Sequence, residues 1–368
     1  MADAVGDVAW LAAMLRFQAA LAAAQAKAGT VPLDAATAIR AACDVTRFDI
    51  AAIGRDAVSS ATPLVPLVDA LRRAVGPTAA EFVHRGATSQ DVIDTAMMLV
   101  SRDALDLLIA DLAGLASRCA ALAKRHRRTP MAGRTLLIQA RPITFGFKAA
   151  TWLVAVIEAR GHLVEIRRGR LAVQLGGAVG TRDSLGASGA DLEADIASEL
   201  GLTRAEPLPW HANRGRVAEM GSALAVAAGA AAKIALDVIL LSQTEVGEVS
   251  EASPGRSSAM PEKRNPAHAV LARAAFAGVM PQVSVLAAAI VGEHERSAGA
   301  WQSEWPALSE TFRLTAGAVA RASDAITDLV VDEKRMLANL GSSPGDLESA
   351  TALVDRALAF YEKQEEKR

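Results

Sequence analysis

Residues 92–128 read VIDTAMMLVSRDALDLLIADLAGLASRCAALAKRHRR. Leu and Ala recur at three- and four-residue spacing over about 35 residues, and the stretch ends in Arg-rich charge that complements a helix C-terminus. Four more stretches share this character: residues 144–175, 214–247, 266–292 and 304–330. Each is apolar on more than one side of a helical wheel and longer than the usual ~10–14 residues of a globular helix. Such a helix has to bury both faces, which predicts partner chains as well as partner helices. The expected fold is all-α, a central five-helix bundle inside an oligomer.

Composition agrees. Alanine supplies 81 of the 368 residues while aromatics supply 4%. Alanine packs helices closely at no side-chain entropy cost, whereas sheets favour β-branched and aromatic residues. With 51% hydrophobic and 22% charged residues, the chain is too apolar for disorder and too charged for an integral membrane protein. The most apolar stretch, residues 223–241, contains Lys233 and Asp237 and reads as a buried helix, so no membrane partner is expected. A net charge of -2 provides no basic field for nucleic acid. Cys43 and Cys119 form neither a disulfide framework nor a metal set, and Asp3 and Asp7 stand where a signal peptide carries positive charge. These features fit a cytoplasmic protein.

Working outward, residues 8–27 form an all-round apolar helix that stops at Gly29, and a shorter helix follows near residues 34–43. Pro63, Pro66, Gly76 and Pro77 then impose short helices and loops. Beyond Asp332 come a GSSPGD break, one amphipathic stretch at residues 347–361, and a charged end. The expected division is an N-terminal helical domain, 1–95, a long-helix bundle, 96–331, and a short C-terminal helical segment, 332–368.

Chemistry is expected in the polar islands that interrupt the long helices. The first, His84-Arg-Gly-Ala-Thr-Ser-Gln-Asp91, precedes the 92–128 helix. Thr88, Ser89 and Asp91 read either as caps or as an anion site at a helix N-terminus. The second, residues 133–146 (GRTLLIQARPITFG), reads as a loop between antiparallel helices. The third, residues 253–266 (SPGRSSAMPEKRNP), delivers Ser257, Lys263 and Asn265 on a loop suited to closing over an anion. Among the histidines, His126 reads as solvated within KRHRR, His162 and His268 as structural, and His294 as either site-lining or plain helix polarity. No His, Cys or Asp spacing suggests a metal, and QLGGAVG (174–180) lacks the context of a dinucleotide site; no cofactor is expected.

These islands resemble the signature segments of the fumarase/aspartase superfamily. The family's loop pattern Ser-Ser-x-Met-Pro-x-Lys-x-Asn is met by Ser257, Ser258, Met260, Pro261, Lys263 and Asn265. Within the superfamily, HRGATSQDVIDTA (84–96), GRT with A-x-P-x-T-F-G (133–146), QLGGAVGT (174–181), PWHANRGRVAE (209–219) and EHERSAGAWQSEWPAL (293–308) are similar to the bacterial 3-carboxy-cis,cis-muconate cycloisomerases. The resemblance implies a homotetramer whose twenty-helix core comes from four five-helix bundles, with sites shared by three subunits. It implies a small tricarboxylate substrate and formation of 4-carboxymuconolactone in protocatechuate (beta-ketoadipate) catabolism. By position, Ser257 resembles the catalytic serine, while Lys263 and Asn265 resemble substrate-carboxylate contacts. Thr88, Ser89 and Thr135 resemble further binding residues, and His84 and His211 fall in site-lining segments. Gln139 and Arg296 join the binding set, with Arg214 or Arg216 as further cations.

Three departures stand out. Arg256 replaces the glycine that usually precedes the serine pair. Residues 135–138 read Thr-Leu-Leu-Ile, without the acid/base histidine or the glutamine of the related lyases. The chain is also short after residue 330, so the third domain reads as abbreviated. The superfamily reaction passes through a carbanion stabilised as an aci-carboxylate. An amine or hydroxide leaving group needs a general acid, worth typically 10²–10⁴-fold. A carboxylate, with a reference pKa near 4, departs as an anion without one. Leu136 therefore suits lactonisation, with Ser257 or His84 handling the single proton and Lys263 assisting. A superfamily lyase of the adenylosuccinate type and a non-catalytic scaffold are the alternatives.

Overall fold

A computed structural model describes residues 1–366. Ahead of the long helices come α1 (Asp7–Lys27), α2 (Leu33–Ala42), α3 (Ile50–Asp56), α4 (Leu64–Val75) and α5 (Pro77–Ala80). The five long stretches are α6 (Ser89–Arg125), α7 (Phe145–Gly169), α9 (Gly215–Leu241), α10 (Ala267–Ala288) and α11 (Ala300–Ile326), with α8 (Gly189–Leu200) between the second and third. The chain ends in α12 (Glu333–Leu340) and α13 (Glu348–Glu365). Four short strands complete it: β1 (Pro130–Thr135) pairs antiparallel with β2 (Ile138–Thr144), and β3 (Val249–Ser250) with β4 (Val330–Val331).

The chain forms two compact units, one of residues 1–107, 165–221 and 282–313, the other of 108–164, 222–281 and 314–368. In the first, α1 buries Leu11, Leu15, Phe17 and Leu21 together with alanines on its other sides, as an all-round apolar helix requires. It packs on α2 and α8, and α4 adds Leu64, Leu67 and Leu71. In the second, α12 lies against β1 and α13 against β2, and an Arg127–Asp355 pair ties the end of α6 to α13.

Two expectations change. The second island is a β-hairpin rather than a loop, because Thr135, Ile138, Ile143 and Thr144 favour extended backbone and two residues suffice to turn it. His126 is buried, not solvated: its ring lies edge-on to Phe145 at 5.3 Å, and Nδ1 lies 3.2 Å from Thr129 Oγ1 and 3.1 Å from Glu333 Oε1. The helix ends there, and the chain folds back over the ring.

By length and composition, α1, α9 and α10 are apolar enough to cross a membrane. More than half of the apolar window is buried within the chain for α1 and α9, but only 22% for α10. The latter turns Val270, Leu271 and Met280 outward.

Candidate active site

The first unit builds its polar centre on the first turns of α6. Gln90 and Asp94, like Asp91 and Thr95, stack one turn apart along the helix, and all four are fully buried. Asp91 Oδ1 accepts from Gly176 N at 2.7 Å and from His211 Nε2 at 2.8 Å; Oδ2 accepts from the Thr88 and Gly177 amides, both at 3.0 Å. Four donors satisfy one carboxylate and clamp the start of α6 onto the glycine turn. A side chain at Gly176 would place its Cβ 2.6 Å from His211 Cε1, so the turn needs glycine there. Asp91, readable as a mere cap, is thus a hub.

One turn on, Asp94 receives Arg214 through two bonds of 2.7 and 2.9 Å, and Trp301 Nε1 at 2.9 Å. The same guanidinium bonds Glu304 at 3.0 and 2.5 Å and lies over the Trp210 ring at 4.8 Å. Burial works against the Arg214 charge, but the two carboxylates outweigh it and hold its pKa above the arginine range. Burial pushes the Glu304 carboxyl up, against the pull of Arg214. Arg214 is therefore spent on structure rather than free for substrate. Removing one partner from such a buried set typically costs about 3–5 kcal/mol.

Arg296 is different. It donates to Gln90 Oε1 at 2.8 Å, Thr88 Oγ1 at 3.2 Å and the Ala178 carbonyl at 3.1 Å, all neutral acceptors. Among the described residues no carboxylate pairs with it, and it lies beside the N-terminus of α6, where Ser89 occupies the first helical position. Such an end favours anions. His84 has left-handed backbone (φ 62°), and its Nδ1 lies 3.0 Å from the Gln18 side-chain amide. Burial holds its pKa down at about 4, Asp91 opposing and Arg72 assisting, so it is neutral at working pH.

In the second unit, β1 and β2 meet in a two-residue turn whose Leu136 (φ 51°) and Leu137 (φ 67°) are both left-handed, the type I′ geometry normally filled by Asn-Gly. Thr135 closes the turn opposite Ile138 and is exposed. Leu136 is 96% exposed, with Leu137 and Ile138 beside it. Gln139 lies on the same strand and donates to the Asn339 carbonyl at 2.8 Å.

The third island leaves and re-enters the fold through one antiparallel bridge, Gly255 N to Asn265 O at 2.8 Å and Asn265 N to Gly255 O at 3.0 Å. A Cβ at Gly255 would lie 2.6 Å from the Ala267 Cβ, so the bridge depends on glycine just before Arg256. Glu251 anchors the far side by accepting from the His268 and Ala269 amides at the start of α10. Within the loop, Ser257 Oγ accepts from Met260 N at 3.1 Å and Ala259 N at 3.4 Å. Two N–H groups aimed at a serine oxygen favour its alkoxide. Arg256 and Lys263 are exposed on this loop, and Asn265 Nδ2 reaches the Arg256 carbonyl at 3.5 Å.

The first unit therefore gathers His84, Thr88, Ser89, His211 and Arg296 around the start of α6, and the second holds Thr135 and Gln139 on the hairpin and Ser257, Lys263 and Asn265 on or at the neck of the loop. Asp94 and Glu304 were the residues sequence reasoning passed over, and Asp91 was read only as a cap or part of an anion site. Acidic side chains on otherwise apolar helices signal buried partners and were the available clue.

The Lyase family model matches residues 4–280. A nitrosuccinate lyase of Streptomyces davaonensis is 48% identical over 360 residues, covering 94% of this chain and 76% of the relative. A 3-carboxy-cis,cis-muconate cycloisomerase of Bradyrhizobium diazoefficiens is 46% identical over 352 residues, covering 94% and 78%. The crystal structure of the 3-carboxy-cis,cis-muconate lactonizing enzyme of Pseudomonas putida superposes with a TM-score of 0.87 at 40% identity, over 97% of this chain and 82% of that one. The chain belongs to this lyase family, within the fumarase/aspartase superfamily.

Proposed function

We propose that the chain is an intramolecular lyase that closes 3-carboxy-cis,cis-muconate to 4-carboxymuconolactone. The observation that carries this reading is the hairpin tip: Leu136, Leu137 and Ile138 offer no titratable group where a general acid is needed for amine or hydroxide leaving groups. In the forward direction a substrate carboxylate oxygen forms a C–O bond to one alkene carbon. The π electrons move onto the neighbouring carbon and its carboxylate, giving an aci-carboxylate, and that carbon then takes one proton. Ser257 supplies the proton, and its alkoxide is held by the Ala259 and Met260 amides. Lys263, Asn265, Thr88, Ser89, Thr135 and Arg296 hold the carboxylates, with preorganised donors aimed at the developing charge. His84, held neutral by burial, is the alternative donor.

A second reading is favoured by the 48% identity to a nitrosuccinate lyase. Nitrite also departs as a weakly basic anion, so the apolar hairpin tip suits that elimination equally. Substrate charge separates the two, three carboxylates against two. The test is to follow loss of ultraviolet absorbance from 3-carboxymuconate, whose conjugation lactonisation destroys, alongside nitrite release from nitrosuccinate. Absorbance loss with little nitrite is the expected result; nitrite release alone assigns the second reading and overturns the first.

The three-part division of the chain, 1–95, 96–331 and 332–368, belongs to the same proposal, as does a homotetramer with sites shared by three copies. The outward apolar face of α10 supports the assembly. So does α6, whose 37 residues put Ser89 and Arg125 about 54 Å apart at 1.5 Å per residue. The first island adjoins one end of that helix, and the second follows the other.

A further inference from the structure

The Glu248 carboxylate is fully buried just ahead of β3. Arg134, next to Thr135 on the hairpin, meets it through a two-pronged contact, Nη1 to Oε2 at 2.9 Å and Nη2 to Oε1 at 2.6 Å. Asn339 on α12 completes the set, its Nδ2 donating to Glu248 Oε1 at 2.9 Å and to the Val246 carbonyl at 2.7 Å. The Asn339 carbonyl accepts in turn from Gln139 on β2. Backbone bonds lock the same point, from Asp332 N to Glu248 O at 3.0 Å and from Glu248 N to Leu241 O at 2.8 Å. Arg335, one turn before Asn339, holds the Val246 and Glu245 carbonyls.

We propose that Arg134, Glu248 and Asn339 form a positioning network that holds both the hairpin and the strand feeding the serine loop, so that α12 supports whichever site each of them enters. This rests on the roles given above to Thr135 and Ser257. The forked arginine–carboxylate contact fixes orientation as well as distance, which a lysine cannot do. Its two ends lie one residue from Thr135 and seven from the bridge at Gly255 that closes the loop. Among the described residues the strand that supports the loop on that side is β3, which pairs with β4, two residues ahead of α12. Loosening Glu248 therefore frees the loop's entry strand and the hairpin together. A misplacement of about 1 Å in a catalytic group can cost ~10²-fold in rate.

Three variants separate the contributions. Glu248→Gln keeps the shape and removes the charge, Arg134→Lys keeps the charge and removes the fork, and Asn339→Ala removes only the link from α12. One readout needs no substrate: trypsin cleavage after the exposed Arg256, Lys263 and Arg264 reports opening of the loop in the native protein. All three variants are expected to be cut there at least roughly fivefold faster than the parent, because cleavage needs the loop backbone to open locally into the protease, not the whole chain to unfold. On whichever substrate the parent turns over, kcat/KM should fall at least ~10-fold in Glu248→Gln and less in Arg134→Lys and Asn339→Ala. Folded variants with unchanged cleavage and unchanged kcat/KM would overturn the network's role. If Glu248→Gln does not fold, Asn339→Ala decides alone. A parent inactive on both substrates would refute the assigned reaction, while the cleavage rates would still decide this inference.

Discussion

In the proposed reaction Ser257 draws on backbone rather than on a neighbouring base. Its oxygen is the acceptor in its own turn, so a proton lost to substrate leaves an oxyanion already facing two N–H groups. Ser257→Ala should lower turnover by at least ~10²-fold with helicity unchanged, because the side chain bonds only within the loop; circular dichroism and steady-state rates check both halves. His84 makes a separate prediction. Its pKa is near 4 in the folded chain against 6.5 for a free histidine, chiefly through burial, so between those values the unfolded chain holds the extra proton. Folding stability present above pH 6.5 should thus decline as pH falls toward 4, and His84→Asn should flatten that stretch of the curve. Denaturant titrations at several pH values measure it. A slope that survives the substitution would place the proton uptake elsewhere.

At the level of elements, the long helices were legible because their apolar period persists far beyond an ordinary helix, and the structure places all five where the pattern does. The hairpin was not. Its turn carries two leucines where only Asn or Gly signals a type I′ bend, so nothing in GRTLLIQ announced it. A left-handed leucine costs roughly 1–2 kcal/mol, and two such residues with exposed side chains mark the tip as a candidate functional turn. Replacing Leu136 with Asn and Leu137 with Gly should raise the melting temperature while lowering kcat/KM at least ~10-fold, the trade expected of a functional strained turn. A variant both more stable and fully active would show that the leucines line no site. The buried acids were missed for a different reason. Asp91 fits a cap as well as a hub, and only the fold brings Gly176, Gly177 and His211 to it.

For the whole molecule, the sequence motifs located every segment of the candidate site but not how the segments meet. If copies share a site, as proposed, no pattern in one chain encodes which copy's Ser257 faces which copy's His84. The apolar side chains that α10 turns outward are the physical reason to expect copies to associate, since burying them recovers roughly 25 cal/mol per Å². The most direct measurement is complementation. A variant carrying His84→Ala and Ser89→Ala is co-assembled with a Ser257→Ala variant, each first shown to be inactive alone. If one site takes His84 and Ser89 from one copy and Ser257 from another, mixed tetramers contain some sites with every residue intact and regain a measurable fraction of parental turnover. Verified mixed assemblies that stay inactive would contradict a site shared between copies and return all three residues to a single chain.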